Sequence, residues 1–328
     1  MRIDIHAHVT PRDWEDLRAR YAGDWPRIRH DSPGCATLLK GDTFFRAVTD
    51  QLFDTGRRLS DMDRQGVDRQ LLTPPPDMFC YWAPAAGAEE FARLQNDHIA
   101  DVVAKRPDRF YGAGTLPLQD PERAVRELER VRGELRLHGI ALGTHVNGKL
   151  LGDPLVRPVL EAAARTDTPI FIHPCGPALG LDRAPFPQYA VTAGYPLDTA
   201  LSIYALIFSG AMERLPGLRF CWSHGGGLFP FLVGRLAFAW DALKPVHELI
   251  PKSPPEYLGT FFYDSITHSP AALRFMLETL GADHLVMGSD YPFAMGTSDP
   301  VSTLAELPPS VRDAMMGPNA LRFLGVKE

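Results

Sequence analysis

The chain has 328 residues, 45% of them hydrophobic and 23% charged, with a formal net charge of -6; this suits one large folded domain or two medium ones and, with no basic run, argues against a nucleic-acid surface. Its apolar stretches fall short of the roughly eighteen residues of a membrane span, and no basic n-region precedes an apolar h-region, so no signal peptide is expected. The four cysteines, Cys35, Cys80, Cys175 and Cys221, are scattered without a C-x-x-C pair, which fits a reduced, cytoplasmic protein.

Short apolar, β-branched runs recur along the chain, separated by helical patterns. RIDIHAHV (2–9) reads as the first strand, followed by a segment, 11–50, with no clear place in a repeating unit. VDRQLLTPP (67–75) is the second strand, and EEFARLQNDHIADVVAKR (89–106) spaces its apolar residues for a helix. RFYGAGTLPL (109–118) follows, then DPERAVRELERVRGEL (120–135), with Asp120 as a candidate cap and Pro121 in the first turn. GIALGTHV (139–146) and PIFIHP (169–174) are the fourth and fifth strands, and DTALSIYALIFSGAMERL (198–215) is the next helix. LRFCWSHGGG (218–227), FFYDSIT (261–267) and HLVMGSDYPF (284–293) complete the series.

Eight near-continuous apolar strands alternating with helices predict an α/β protein, a (β/α)8 TIM barrel of strands buried on both faces. Residues 1–328 are expected to form one domain, with 11–50 inserted between strand one and its helix. The rival is a doubly wound open sheet, but no G-x-G-x-x-G follows the first strand.

Residues two apart on a strand share a face, so His6 and His8 project together near the C-terminal end of strand one, where a barrel carries its active site. A lone histidine there reads as an ordinary polar residue; two on one strand make half a metal site. His173 ends strand five, His224 ends strand six and Asp290 ends strand eight. Three nitrogens and one carboxylate leave a position for water, as in catalytic zinc sites. His224 serves in that set either as a further ligand or as a proton carrier beside the metal, and Asp290 stands close to the water in either case.

With these residues in place, the sequence is similar to the amidohydrolase superfamily, and within it resembles the 2-amino-3-carboxymuconate-6-semialdehyde decarboxylase-like family of non-hydrolytic decarboxylases. The matching stretches are IDIHAHVTP (3–11), FFRAV (44–48), DMDRQGVDRQ (61–70), MFCYW (78–82), GTLPLQDPERAVRE (114–127), LGTHVN (142–147), FIHP (171–174), HGGGLFPFLVGR (224–235) and LGADHLVMGSDYPFAMG (280–296). The resemblance implies that His6, His8, His173 and Asp290 bind zinc or another divalent metal and that His224 activates the metal-bound water; Asp290, close to that water, is also expected to take part in catalysis. It implies that Arg46 binds a substrate carboxylate and that Arg235 reaches the neighbouring active site of a homodimer. Guanidinium forks suit a small carboxylate substrate on an acidic protein. Met78, Phe79 and Trp82, with Tyr81, read as substrate-lining or as packing, and Phe293 joins the candidate substrate contacts.

The sequence departs from the family after strand five. Cys175 and Gly176 stand where Trp and Asp are typical, and the loop GPALGLDRAPFPQYAVTAGYP (176–196) lacks the expected tryptophans. Other motifs fail: HGGG has no G-x-S-x-G companion, and neither H-E-x-x-H nor a P-loop is present. His145, His268 and His284 read as structural histidines. The expected function is therefore a zinc-dependent, non-oxidative decarboxylase of a small unsaturated or aromatic carboxylic acid. The alternatives are a metal-dependent hydrolase or hydratase acting on a lactone or oxalo-acid on the same barrel, and a non-catalytic metal-binding barrel.

Overall fold

In the computed structural model, which describes residues 1–181, 186 and 188–327, β1 (Ile3–His8) is buried along its entire length. Only a strand covered on both faces reads this way. After β1 comes the insertion, an antiparallel sheet of β2 (Pro26–Ser32), β3 (Cys35–Lys40) and β4 (Thr43–Thr49). Then α1 (Thr55–Gln65) opens on the Asp54 cap and leads to β5 (Arg69–Thr73), α2 (Ala85–Lys105), β6 (Phe110–Gly114) and α3 (Pro121–Gly133). The Asp120 carboxylate caps α3 by accepting from the Arg123 amide, as the sequence predicts.

The chain continues through β7 (Gly139–Gly143), a small hairpin of β8 (His145–Val146) and β9 (Lys149–Leu150), α4 (Arg157–Arg165) and β10 (Ile170–His173). Next are α5 (Tyr195–Phe208), α6 (Ala211–Arg214), β11 (Phe220–Trp222), α7 (Phe229–Ala242), α8 (Lys244–His247) and β12 (Phe261–Asp264). The last elements are α9 (Pro270–Leu280), β13 (Leu285–Val286), α10 (Pro309–Met316) and α11 (Pro318–Leu324). Eight parallel strands pair in the order β1-β5-β6-β7-β10-β11-β12-β13. The ring closes where the Ile5 and His8 amides donate to Met287 and Tyr291, and the Asp290 amide donates to His6. This is a TIM barrel, with all eight predicted strands in their predicted order.

Three local readings differ from expectation. The helix expected over 198–215 starts earlier, as a π-helical turn at Ala190–Gly194 that runs into α5 at Tyr195, and breaks at Gly210, whose φ of +69° ends the helical path. The strand expected over 284–293 is regular only at Leu285–Val286 and continues as an irregular segment bridged to β1 through Tyr291. One helical run, Ala190–Phe208, is long and apolar enough to cross a membrane, contrary to the sequence expectation. Its Ala200, Ile203, Leu206 and Ile207 belong to the barrel core.

A second, smaller core lies beneath the insertion. Trp25 is fully buried there with Leu38, Leu52, Met78 and Phe91. This packing fixes β4 against the barrel mouth, so that Arg46, Ala47 and Val48 become one wall of the cavity above it.

Candidate metal centre and active site

His6 and His8 are both fully buried, one turn of the pleat apart at the end of β1. Each imidazole is fixed by its outer nitrogen. His6 Nδ1 lies 2.6 Å from Asp264 Oδ2; because a carboxylate only accepts, the proton is on Nδ1 and Nε2 presents a lone pair. His8 Nδ1 faces the Thr73 hydroxyl at 3.0 Å and the Pro74 carbonyl at 3.3 Å. His173 Nδ1 donates to the Pro174 carbonyl at 2.8 Å. Three imidazoles thus turn Nε2 inward, the orientation that outer hydrogen bonds impose on metal-binding histidines.

The inward atoms converge. His6 Nε2 and His8 Nε2 are 3.1 Å apart. Asp290 Oδ1 is 3.1 Å from His8 Nε2 and 3.3 Å from His6 Nε2. The donor atoms of His6, His8, His173 and Asp290 all lie within 4.8 Å of one another. Two facing lone pairs and a carboxylate in a dry site repel unless a cation sits between them. The donor set therefore fits a divalent metal ion.

Protonation follows the same logic. Burial, with the neighbouring His224, His6 and His8, drives His173 far below the usual imidazole range, and burial lowers His8 to about 4. Burial also disfavours a charged His6, but Asp290 and Asp264 together outweigh it and raise His6 to about 10. Asp290 stays well below the usual carboxylate range because His6, His224 and His8 overcome its desolvation. Without a cation, Asp290 and Asp264 favour a second proton on His6, at Nε2; a metal ion there takes its place.

A buried polar frame holds β1 in position. Asp4 accepts from the His6 amide at 3.1 Å, the Ser289 amide at 2.9 Å and the Gln70 amide group at 3.0 Å. Arg58, 1% exposed, donates to the His8 carbonyl and to Gln70, and stacks 4.7 Å from the Tyr291 ring.

His224 stands beside the donor set. Its ring is 4.8 Å from that of His173, and its Nε2 is 3.8 Å from Asp290 Oδ2. It begins the glycine turn after β11, where Asp264 Oδ1 accepts from the Gly225 amide at 2.9 Å. A Cβ on Gly227, whose φ is +61°, would sit 2.1 Å from the Pro196 carbonyl. Only glycine lets the loop pass that close.

Above these groups opens a cavity of about 1010 Å³, with His173, His224 and Asp290 at its floor and Leu228, Phe231, Phe275 and Met276 on its outer wall. Arg46 and Phe293 line it, and the Arg46 guanidinium lies 4.4 Å over the Phe293 ring. Met78 and Phe79 are buried in the two cores, and Phe79 stacks on Tyr81. Trp82 is 47% exposed against Trp25. These three are not among the cavity's lining residues. Arg235 is exposed on α7, without an ion pair or hydrogen bond among the described residues, and is not part of the cavity wall.

Cys175 is buried, with its Sγ 3.6 Å from the His145 carbonyl. Residues 182–185 and 187 of the loop that departs from the family pattern lie outside the described residues. His145 and His284 face backbone carbonyls of Pro177 and Phe261, whereas His268 is exposed at the cavity rim. Sequence reasoning missed Asp264, although it ends a strand as the other site residues do. It also missed Asp77, which lines the cavity and pairs with Arg46; a single acid after three prolines carries no spacing signal.

Comparison with known proteins follows the same lines. The chain matches the family described as Amidohydrolase over residues 3–326. It is 37% identical to a 2-amino-3-carboxymuconate-6-semialdehyde decarboxylase of Dictyostelium discoideum, covering 99% of this chain and 92% of the relative. It is 29% identical to a gamma-resorcylate decarboxylase of a Polaromonas species, over 72% of this chain and 76% of the relative. Among solved structures, 5-carboxyvanillate decarboxylase from Sphingomonas paucimobilis superposes with a TM-score of 0.77 at 33% identity, covering 84% of this chain and 85% of that one.

Proposed function

The chain belongs to the amidohydrolase family, and we propose that it is a metal-dependent, non-oxidative decarboxylase of a small aromatic or unsaturated carboxylic acid. The observation that carries the reading is the set of three Nδ1-anchored imidazoles and Asp290, with His224 beside it, at the floor of one cavity. Relatives spanning most of the chain are named decarboxylases, which supports the reaction class. We read residues 1–328 as one barrel domain whose 11–50 insertion supplies a cavity wall.

His6, His8, His173 and Asp290 would hold the metal, and three nitrogens with one carboxylate favour zinc. A divalent ion there supplies Lewis acidity toward the substrate's oxygens. His224 carries the proton. As carbon dioxide leaves, the C–C electron pair stays on the substrate carbon and the His224 proton completes the new C–H bond. Asp290 Oδ2, 3.8 Å from His224 Nε2, links the proton carrier to the ligand set. Arg46 orients the substrate's polar groups from the cavity wall. Arg235, exposed and off the cavity, is assigned to the neighbouring site of a homodimer.

The test is product analysis. Metal-reconstituted protein supplied in turn with hydroxybenzoic and aminomuconic-type acids is expected to release carbon dioxide from at least one of these classes and to stop when chelated. Addition of water to a lactone or oxalo-acid, without carbon dioxide, would instead support a hydrolase or hydratase.

A further inference from the structure

The cavity wall carries a carboxylate that decarboxylation does not use. Asp77, in the turn after β5, has a side chain only 10% exposed, and its Oδ2 lies 3.3 Å from Arg46 Nη2. Both residues line the cavity. Arg46 is further held by the faces of Phe293 and Phe45, at 4.4 and 5.3 Å. Phe293 in turn packs 5.1 Å from the His8 ring, so this ion pair is separated from the metal donors by a single aromatic layer. Asp77 makes no hydrogen bond among the described residues, and its burial raises its carboxyl against the pull of Arg46 and Lys40. The Tyr195 phenol is also on the wall, its ionisation disfavoured first by burial and then by the Asp77 charge.

We propose that Asp77 sets substrate specificity: by occupying Arg46, it makes this corner of the cavity a receptor for a neutral hydrogen-bond donor, a phenolic hydroxyl or aromatic amine, rather than for a second carboxylate. The inference rests on the decarboxylase reading for where the reacting carboxylate sits, at the metal. Two consequences of the geometry support it. A second carboxylate arriving at Arg46 would meet Asp77 as a like charge in a poorly solvated corner. Displacing Asp77 would leave a buried carboxylate unpaired, which is strongly unfavourable. A hydroxyl, by contrast, finds acceptor lone pairs on Asp77 with no competing hydrogen bond.

The experiment compares two ligands that differ in one group, 3-hydroxybenzoate and benzene-1,3-dicarboxylate. Neither has the ortho or para hydroxyl that activates a ring toward protonation, so both report binding alone. Calorimetric titration of the metal-reconstituted protein is expected to show the hydroxy acid binding at least about ten-fold tighter, equivalent to ~1.4 kcal/mol. In Asp77→Asn, which keeps the shape, and in Asp77→Ala, which empties the position, the preference should shift by about ten-fold or more toward the dicarboxylate. The shift should come mainly from a gain in dicarboxylate affinity. Equal binding of the two acids by the unaltered protein, no binding of either, or an unchanged ratio in both variants overturns the proposal. Absence of carbon dioxide release from the hydroxybenzoic and aminomuconic-type acids of the product analysis, with this binding preference intact, refutes the decarboxylase reading and leaves the role of Asp77 standing.

Discussion

Replacing Asp264 by Asn tests whether the outer hydrogen bonds create the metal centre. Asp264 uses both oxygens: Oδ2 accepts from His6 Nδ1 at 2.6 Å, while Oδ1 accepts from the amides of Gly225 at 2.9 Å and Ile266 at 3.0 Å. Asparagine has only one oxygen. If that oxygen stays with the two amides, the new NH2 faces His6 Nδ1 and forces the proton to Nε2, between His8 and Asp290, where it blocks the lone pair. If the oxygen turns to His6, two buried amides lose their acceptor, at roughly 1–3 kcal/mol each. The first arrangement disturbs fewer groups. Loss of such an outer partner typically weakens metal binding about 10–100-fold, which is ~1.4–2.7 kcal/mol. Asp264→Asn should therefore bind zinc in that range more weakly, measured by competition with a chromogenic chelator, while the protein stays folded. An unchanged metal affinity would refute the claim that Asp264 sets the His6 tautomer.

Other variants separate the remaining roles. His224→Ala should retain its metal yet lose on the order of 10²–10⁴-fold in turnover; a variant purified without metal would make His224 a ligand. Arg235→Ala and His224→Ala, each inactive alone, should recover part of the activity when mixed, because one site of a mixed dimer keeps both residues. No recovery despite demonstrated subunit exchange would place Arg235 in its own subunit or in a structural role. His138, lowered to about 4 by burial with Arg132 and Arg69, accepts from the Gly112 amide at 3.3 Å. The unfolded chain takes up this proton near pH 6.5 and the folded chain only near pH 4, so its contribution is full above 6.5 and is lost as pH falls through that window. The shift caps the effect at about 3 kcal/mol, less where solvent reaches the ring. His138→Gln should flatten the acid limb of the stability curve between those pH values, and an unchanged limb would remove His138 as its cause.

The barrel was legible in the sequence because strands covered on both faces become unbroken apolar runs, and IDIHAH is buried at all six positions. The gathering of His6, His8, His173 and Asp290 was legible for a related reason: a (β/α)8 barrel brings its strand ends together, and the four donor atoms lie within 4.8 Å of one another. The insertion sheet left little trace. Its β2, PRIRHDS, is exposed over most of its length and has no apolar face for a pattern to reveal. Asp264 ends its strand like the ligands but acts through His6, and nothing in FFYDSIT distinguishes a carboxylate that binds metal from one that orients an imidazole. Asp77 and Arg46 meet only because the insertion folds back over the barrel mouth, a contact between segments with no shared periodicity. Met78 and Phe79 carry the same signal whether they fill a core or line a pocket, and here core packing claims them, Met78 beneath the insertion and Phe79 in the barrel.

The central claim is that the four-donor site and His224 together remove a carboxyl group. The most direct measurement is single-turnover reaction of the zinc-reconstituted protein with a hydroxybenzoic acid carrying a labelled carboxyl carbon, in heavy water. The account predicts that the label leaves as carbon dioxide, that one deuterium replaces it on the ring, and that both events disappear in His8→Ala and in His224→Ala. Label retained in the product, or release that proceeds unchanged in either variant, would contradict it.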